Sequence, residues 1–207
     1  GKGVHASQTE AVYWFRKAAE QGHAVAQAAL GAFYKDGIGI AQDKAKAAYW
    51  YQKAAEQGFH LAQLYLGRRY YYGEGLEQDK QKAFYWYQKA AAQGLAEAGY
   101  ELGVMYHNGE AVPQDDARAL EWFQKAAGQG LAEAQYTLGG MYYYGLGVAR
   151  DYIRAAQWAR KAAAQDFVEA QQVMGMMYCY GRGVDKDYAQ AAQWWRKAAE
   201  QGNATAQ

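Results

Sequence analysis

Tryptophan falls at Trp14, Trp50, Trp86, Trp122, Trp158 and Trp194, each 36 residues after the last. That period constrains the fold more than any other feature. A unit so short cannot bury its hydrophobic face alone and must stack on copies of itself. The rest of the sequence keeps the same register. Lys-Ala-Ala recurs from Lys17, Lys53, Lys89, Lys125, Lys161 and Lys197, and Leu-Gly recurs at Leu30, Leu66, Leu102 and Leu138, becoming Met174-Gly175 in the last full unit. Every glycine obeys the period except Gly99, Gly128 and Gly140, and among the tryptophans only Trp195 is out of phase. The 207 residues hold about five and three-quarter units.

Each unit resolves into two helices. Ala26, Leu30 and Tyr34 lie four apart, so Ala24 to about Asp36 reads as an amphipathic helix A. Gly37-Ile38-Gly39 ends it, since glycine takes the positive φ that stops a helix. Asp43 is placed to N-cap helix B, and Asp79, Asp115, Asp151 and Asp187 hold the same slot. Helix B then runs to about Gln57, with Gly58 beyond it. The array is thus an opening helix B at about 8–21 followed by A–B pairs at about 24–57, 60–93, 96–129, 132–165 and 168–201. Gly31 and its equivalents remove a side chain from helix A at roughly 1 kcal/mol against alanine. Close helix contact offsets that cost, with the phased tryptophan expected to fill the space beside it and to be buried.

The Leu-Gly-x-x-Tyr-x-x-Gly-x-Gly motif, the Asp cap, Ala-x-x-Trp and Lys-Ala-Ala together resemble the Sel1-like repeat, a 36-residue relative of the tetratricopeptide repeat. The resemblance covers the whole chain. It implies an all-α, right-handed α/α superhelical solenoid of eleven helices, with helices A on a concave inner face and helices B outside. It also implies an adaptor or ligand-binding scaffold, in bacterial periplasm, at the cell surface or in cytoplasm.

Several positions depart from the pattern. Ser7 stands where other units have Asp and can still cap. Asp166 replaces a helix-ending glycine, which predicts a looser or differently bent turn. Ala111 replaces the second glycine of the third loop and Pro113 follows, which predicts a stiffer one. The chain opens inside a Gly-x-Gly loop and closes at Ala204–Gln207, which reads as the first turn of another helix A. Neither end has the polar face of a capping repeat, so the sequence is expected to be part of a longer array, with head-to-tail self-association as one consequence.

Composition and motifs narrow the function. A net charge of +1 argues against a protein that tracks nucleic-acid phosphates. No apolar run reaches the roughly 20 residues a membrane helix needs, and no signal peptide is visible. The single cysteine, Cys179, excludes an intramolecular disulfide framework. His5, His23, His60 and His107 show no metal-ligand spacing, and no nucleophile elbow, zinc-protease, phosphate-loop or dinucleotide motif is present. The reading is non-enzymatic, without cofactor, metal or catalytic residues. Cysteine-rich relatives bind or hydrolyse β-lactams, but their paired cysteines are absent here, which leaves that activity a remote alternative. A purely architectural or self-assembling segment is the nearer one.

A protein or peptide partner fits best, because the helix A positions left free by the frame vary and are rich in tyrosine. The expected concave surface comprises Arg68, Tyr71, Tyr72, Tyr100, His107, Tyr136, Tyr143, Tyr144 and Tyr180. Tyrosine offers large contact area at small rotamer cost, and its hydroxyl tolerates water. Within this set Tyr71, Tyr100, Tyr136 and Tyr143 are expected to be the exposed rings, with Tyr72, Tyr144, Tyr180 and Tyr65 as readily packed between helices. Glu97, Glu133 and Glu169 repeat one position and read as a solvated acidic rail.

Overall fold

Five aspartates start five helices. Asp43, Asp79, Asp115, Asp151 and Asp187 sit in extended backbone. Each side chain accepts a hydrogen bond from the N–H three residues on, at 2.9–3.0 Å from Lys46, Lys82, Arg118, Arg154 and Gln190. Ser7 occupies the same position, but its hydroxyl pairs with Thr9 and makes no side-chain cap.

The computed structural model describes residues 7–202, and among them are eleven α-helices and no strand. They are α1 (Gln8–Glu20), α2 (Ala24–Asp36), α3 (Lys44–Glu56), α4 (His60–Tyr72), α5 (Lys80–Ala92), α6 (Ala96–Asn108), α7 (Asp116–Gly128), α8 (Ala132–Tyr144), α9 (Tyr152–Ala163), α10 (Val168–Tyr180) and α11 (Tyr188–Glu200). Even-numbered elements are helices A and odd-numbered ones helices B. His5, the opening glycine loop and the expected helix turn at 204–207 lie outside the described residues. Two compact units divide the chain, residues 1–98 and 99–207.

In the first unit, α1 to α5 pack each on its chain neighbours. Leu30, Leu66, Ala47 and Ala62 are fully buried there. In the second, α7 to α11 do the same, around Leu138, Met174, Ala134 and Ala170. Helix A is anchored to the helix B before it by a buried glutamine. Gln27 and Gln63 in the first unit donate to the carbonyls of Ala19 and Ala55 at 3.1 and 3.2 Å. Gln135 and Gln171 in the second donate to Ala127 and Ala163 at 3.2 and 3.3 Å. These side chains fill a buried polar position with the hydrogen bonds that burial demands.

The phased tryptophans are not the core residues the sequence predicts. Trp50, Trp86, Trp122, Trp158 and Trp194 are only half-buried, and Trp14 is 63% exposed. The residue one later fills the space, because one step along a helix turns about 100°. Tyr51, Tyr87 and Phe123 are each 1% exposed. A Cβ added to Gly31, Gly67 or Gly103 would lie 2.9, 2.6 or 2.7 Å from those rings. Trp195, out of phase with the other tryptophans, holds this slot against Gly175. The phased tryptophans lie on the flank, and in the second unit the lysine of Lys-Ala-Ala crosses their outer faces, whereas in the first Lys17, Lys53 and Lys89 lie over Tyr13, Tyr49 and Tyr85. Lys125, Lys161 and Lys197 stand 4.6, 3.9 and 4.8 Å from the ring centroids of Trp122, Trp158 and Trp194.

The two irregular turns keep their paths. Asp166 adopts φ 60° and Ala111 φ 62°, the left-handed region that the glycines of the other turns occupy. α9, which precedes Asp166, is a residue shorter than the other helices.

Candidate functional site

The last turn of each helix A carries two adjacent positions outside the invariant frame, and where both are tyrosine the second is the exposed one, against the expectation for Tyr71 and Tyr143. In the first unit Tyr72 is 64% exposed, whereas Tyr71 is half-buried. The Tyr71 ring meets Tyr72 edge-on at 4.8 Å and lies 5.2 Å beneath the ammonium of Lys80. Arg68, one turn earlier, is half-buried. Beside it Arg69 is buried and pairs with Glu74, whose carboxylate also takes Lys44 at 3.1 Å. Lys44 and then Arg69 hold the Glu74 carboxyl below the usual range, against the opposing effect of burial.

In the second unit Tyr144 and Tyr180 are 71% and 67% exposed. Tyr143 is half-buried, edge-on to Tyr144 at 4.9 Å and to Tyr152 at 5.0 Å. Tyr100 leans on Phe123 with ring centroids 5.4 Å apart, and Tyr136 on Phe167 at 5.3 Å. Burial pushes the Tyr136 hydroxyl up from its ordinary pKa, and the nearby Glu169 charge adds to that. His107 is engaged through Nδ1 with Asp116 Oδ1 at 2.6 Å. On helices A the exposed rings therefore come from the final residue, after which no turn of the same helix remains to cover them, while helices B expose Tyr13, Tyr49, Tyr85 and Tyr188. Tyr71 and Tyr143 sit one residue earlier and are covered by the start of the following helix B.

The same unit holds a cavity of about 180 Å³ between α8, α9 and α10. Ala155 and Ala159 of α9 line it together with Tyr136, Val173, Met176 and Met177. Tyr143, Tyr144 and Arg182 line it too. Arg182 donates to the Tyr143 hydroxyl, and its guanidinium lies 5.5, 5.9 and 5.6 Å from the ring centroids of Tyr143, Tyr152 and Tyr180. Sequence reasoning placed Tyr136, Tyr143, Tyr144 and Tyr180 in a partner surface but missed the cavity. Its signal was present: the residue after each phased tryptophan is Phe15, Tyr51, Tyr87, Phe123 and Trp195, and only Ala159 breaks the series.

Aromatic rings, hydroxyls and a guanidinium group line these surfaces. No group of three histidine, cysteine, aspartate or glutamate side chains could hold a metal ion among the described residues, and no helix there is long and apolar enough to cross a membrane. Cys179 is a half-buried free thiol.

The Sel1 repeat matches residues 1–23, 24–59, 60–95, 96–131, 132–167 and 168–203. A comparison with curated proteins gives no match. Among solved structures, the chain is similar to c5321, a protective antigen of uropathogenic Escherichia coli with an SLR fold, at 42% identity and a TM-score of 0.90. That match covers 94% of this chain and 42% of the antigen. A Sel1 repeat protein from Oxalobacter formigenes is 39% identical with a TM-score of 0.91, over 100% of this chain and 60% of its own. An immunity protein of Pseudomonas aeruginosa shares 26% identity and a TM-score of 0.58, over 99% of this chain and 69% of its own. The chain thus spans less than two thirds of the length of the first two relatives. With six tandem matches along its length and helix pairs that superpose on solved members, the chain belongs to the Sel1 repeat family.

Proposed function

We propose that this chain is a non-enzymatic interaction scaffold that binds a peptide or protein partner through the helix A side of its repeats. Sel1 repeats are in general protein-interaction scaffolds. The observation that carries the reading for this chain is the exposure of Tyr72, Tyr144 and Tyr180, one large ring at the end of each of three helices A. Exposed tyrosines placed by a rigid repeat frame are the residue type that most often concentrates binding energy. The net charge of +1 predicts a weak salt dependence of that binding.

Site-specific photocross-linking tests the reading. A benzophenone side chain placed at Tyr72, Tyr144 or Tyr180 should capture the same partner in cells that make the protein. The exposed helix B positions Gln52, Gln88 and Gln124 serve as the comparison. Capture confined to the helix B positions would show that the working surface is the other one.

A further inference from the structure

We propose that the cavity between α8, α9 and α10 is a receptor for one aromatic side chain of a peptide partner, with Arg182 holding a carboxylate next to that side chain. The inference rests on the scaffold reading and narrows it to one site and one ligand chemistry.

The internal repeats say what is missing. At the position of Ala159 the equivalent helices B carry the rings of Tyr51, Tyr87, Phe123 and Trp195, each packed on the helix A glycine. Ala159 leaves that ring out. α9 has closed part of the gap, since a Cβ on Gly139 would lie 3.2 Å from the Ala155 carbonyl and 3.3 Å from the Ala159 nitrogen. The backbones meet there, and about 180 Å³ remains open beside them. An apolar cavity of roughly 150 Å³ admits benzene, so this one has room for a single ring.

A second omission opens the same space. Gly140 stands where the other helices A have Ala32, Arg68, Val104 and Met176, and a Cβ there would meet nothing within 4 Å. Two departures from the repeat, on two facing helices, thus converge on one cavity. Met176 and Met177 in its lining are adaptable side chains that make favourable sulfur–aromatic contacts.

The charge at the rim indicates what accompanies the ring. Arg182 is held in place by tyrosine rings, and no carboxylate lies within ion-pair distance of it among the described residues. Guanidinium and carboxylate form strong charge-assisted hydrogen bonds.

The test uses an acetylated, amidated tripeptide of aspartate, phenylalanine and aspartate, its alanine-centred counterpart, and toluene. Binding is read from the methyl NMR signals of Met176 and Met177. The phenylalanine peptide should shift both signals saturably, and the alanine peptide should bind about tenfold more weakly or not at all. Ala159→Phe, which restores the ring of the other repeats, and Gly140→Val, which plugs the open side, should each remove binding in a protein that stays helical. Arg182→Gln should weaken the phenylalanine peptide and leave toluene unchanged. Absence of any shift overturns the proposal, as does unchanged peptide binding in folded Gly140→Val, entry of toluene but not of the peptide, or methyl shifts that follow protein self-association instead of added peptide. Should the cavity fail while Tyr144 and Tyr180 still cross-link a partner, the receptor is wrong and the scaffold reading stands.

Discussion

Gln57 donates from Nε2 to the Oε1 of Gln27 at 2.7 Å, across thirty residues of chain. The pair recurs as Gln93 to Gln63 at 2.8 Å, Gln165 to Gln135 at 2.9 Å and Gln201 to Gln171 at 3.0 Å. Each acceptor is the buried glutamine that already donates to the preceding helix B. One amide therefore joins three consecutive helices. Gly99 occupies the corresponding position of α6 and carries no amide.

Gln63→Leu should cost about 1–3 kcal/mol, because it removes the bonds to Ala55 and Gln93 from a buried site. Urea denaturation of the variant measures the loss, and an unchanged midpoint would show that the amide contributes nothing beyond its volume.

Tyr87→Ala should cost about 3–5 kcal/mol and Trp86→Ala distinctly less, since Tyr87 is enclosed and Trp86 half-buried. Gly67→Ala should also destabilise, by about 1–3 kcal/mol, as its Cβ would stand 2.6 Å from the Tyr87 ring. Once Tyr87 is alanine, the Gly67 substitution should lose most of its effect, a coupling that a double-mutant cycle reads directly.

Ala111→Gly should stabilise the protein by about 1 kcal/mol, because alanine at φ 62° bears a Cβ penalty that glycine does not. Thermal melting gives the sign: a lower midpoint would mean that the extra chain entropy of glycine outweighs the relief.

The caps set a pH dependence. The Lys82 backbone N–H, helped by its ammonium, holds the Asp79 carboxyl below the ordinary carboxylate range. Unfolding releases that carboxyl to about 3.9, so the unfolded chain takes up the proton first as pH falls. The contribution is complete above the unfolded value and lost through the folded one. Asp79→Asn caps comparably and does not titrate. Its urea midpoint should match that of the parent at pH 7 and fall less between pH 5 and pH 2 (a pH range on the order of that in which capped carboxylates titrate).

Helix placement was legible from local chemistry. The glycine after Asp36 and the aspartate at Asp43 mark ends that any tertiary arrangement must respect, and α2 runs over Ala24–Asp36 as read. Burial around a helix was harder to read. Two aromatic residues stand side by side at Trp50-Tyr51 and Trp86-Tyr87, and a period of 36 fits both equally. Only packing against Gly31 and Gly67 decides which is enclosed. The same ambiguity reversed Tyr71 and Tyr72, whose exposure depends on the start of the next helix. The cavity escaped notice because it is made by side chains that are absent, at Gly140 and Ala159, on helices joined only in space.

The two kinds of turn differ in how much change they can absorb. Beyond Gly22, Gly58 and Gly130 an added Cβ would meet nothing within 4 Å, so these corners face open solvent. At the second glycine of the other loops, Gly75 would bring a Cβ within 2.0 Å of the Lys44 carbonyl and Gly183 within 1.9 Å of that of Tyr152. Those loops are wedged into the first turn of an earlier helix. Extra sequence, whether a graft, a fusion or an evolutionary insertion, is therefore admissible at the helix B to helix A corners, while lengthening at a wedged loop would break the joint between successive repeats.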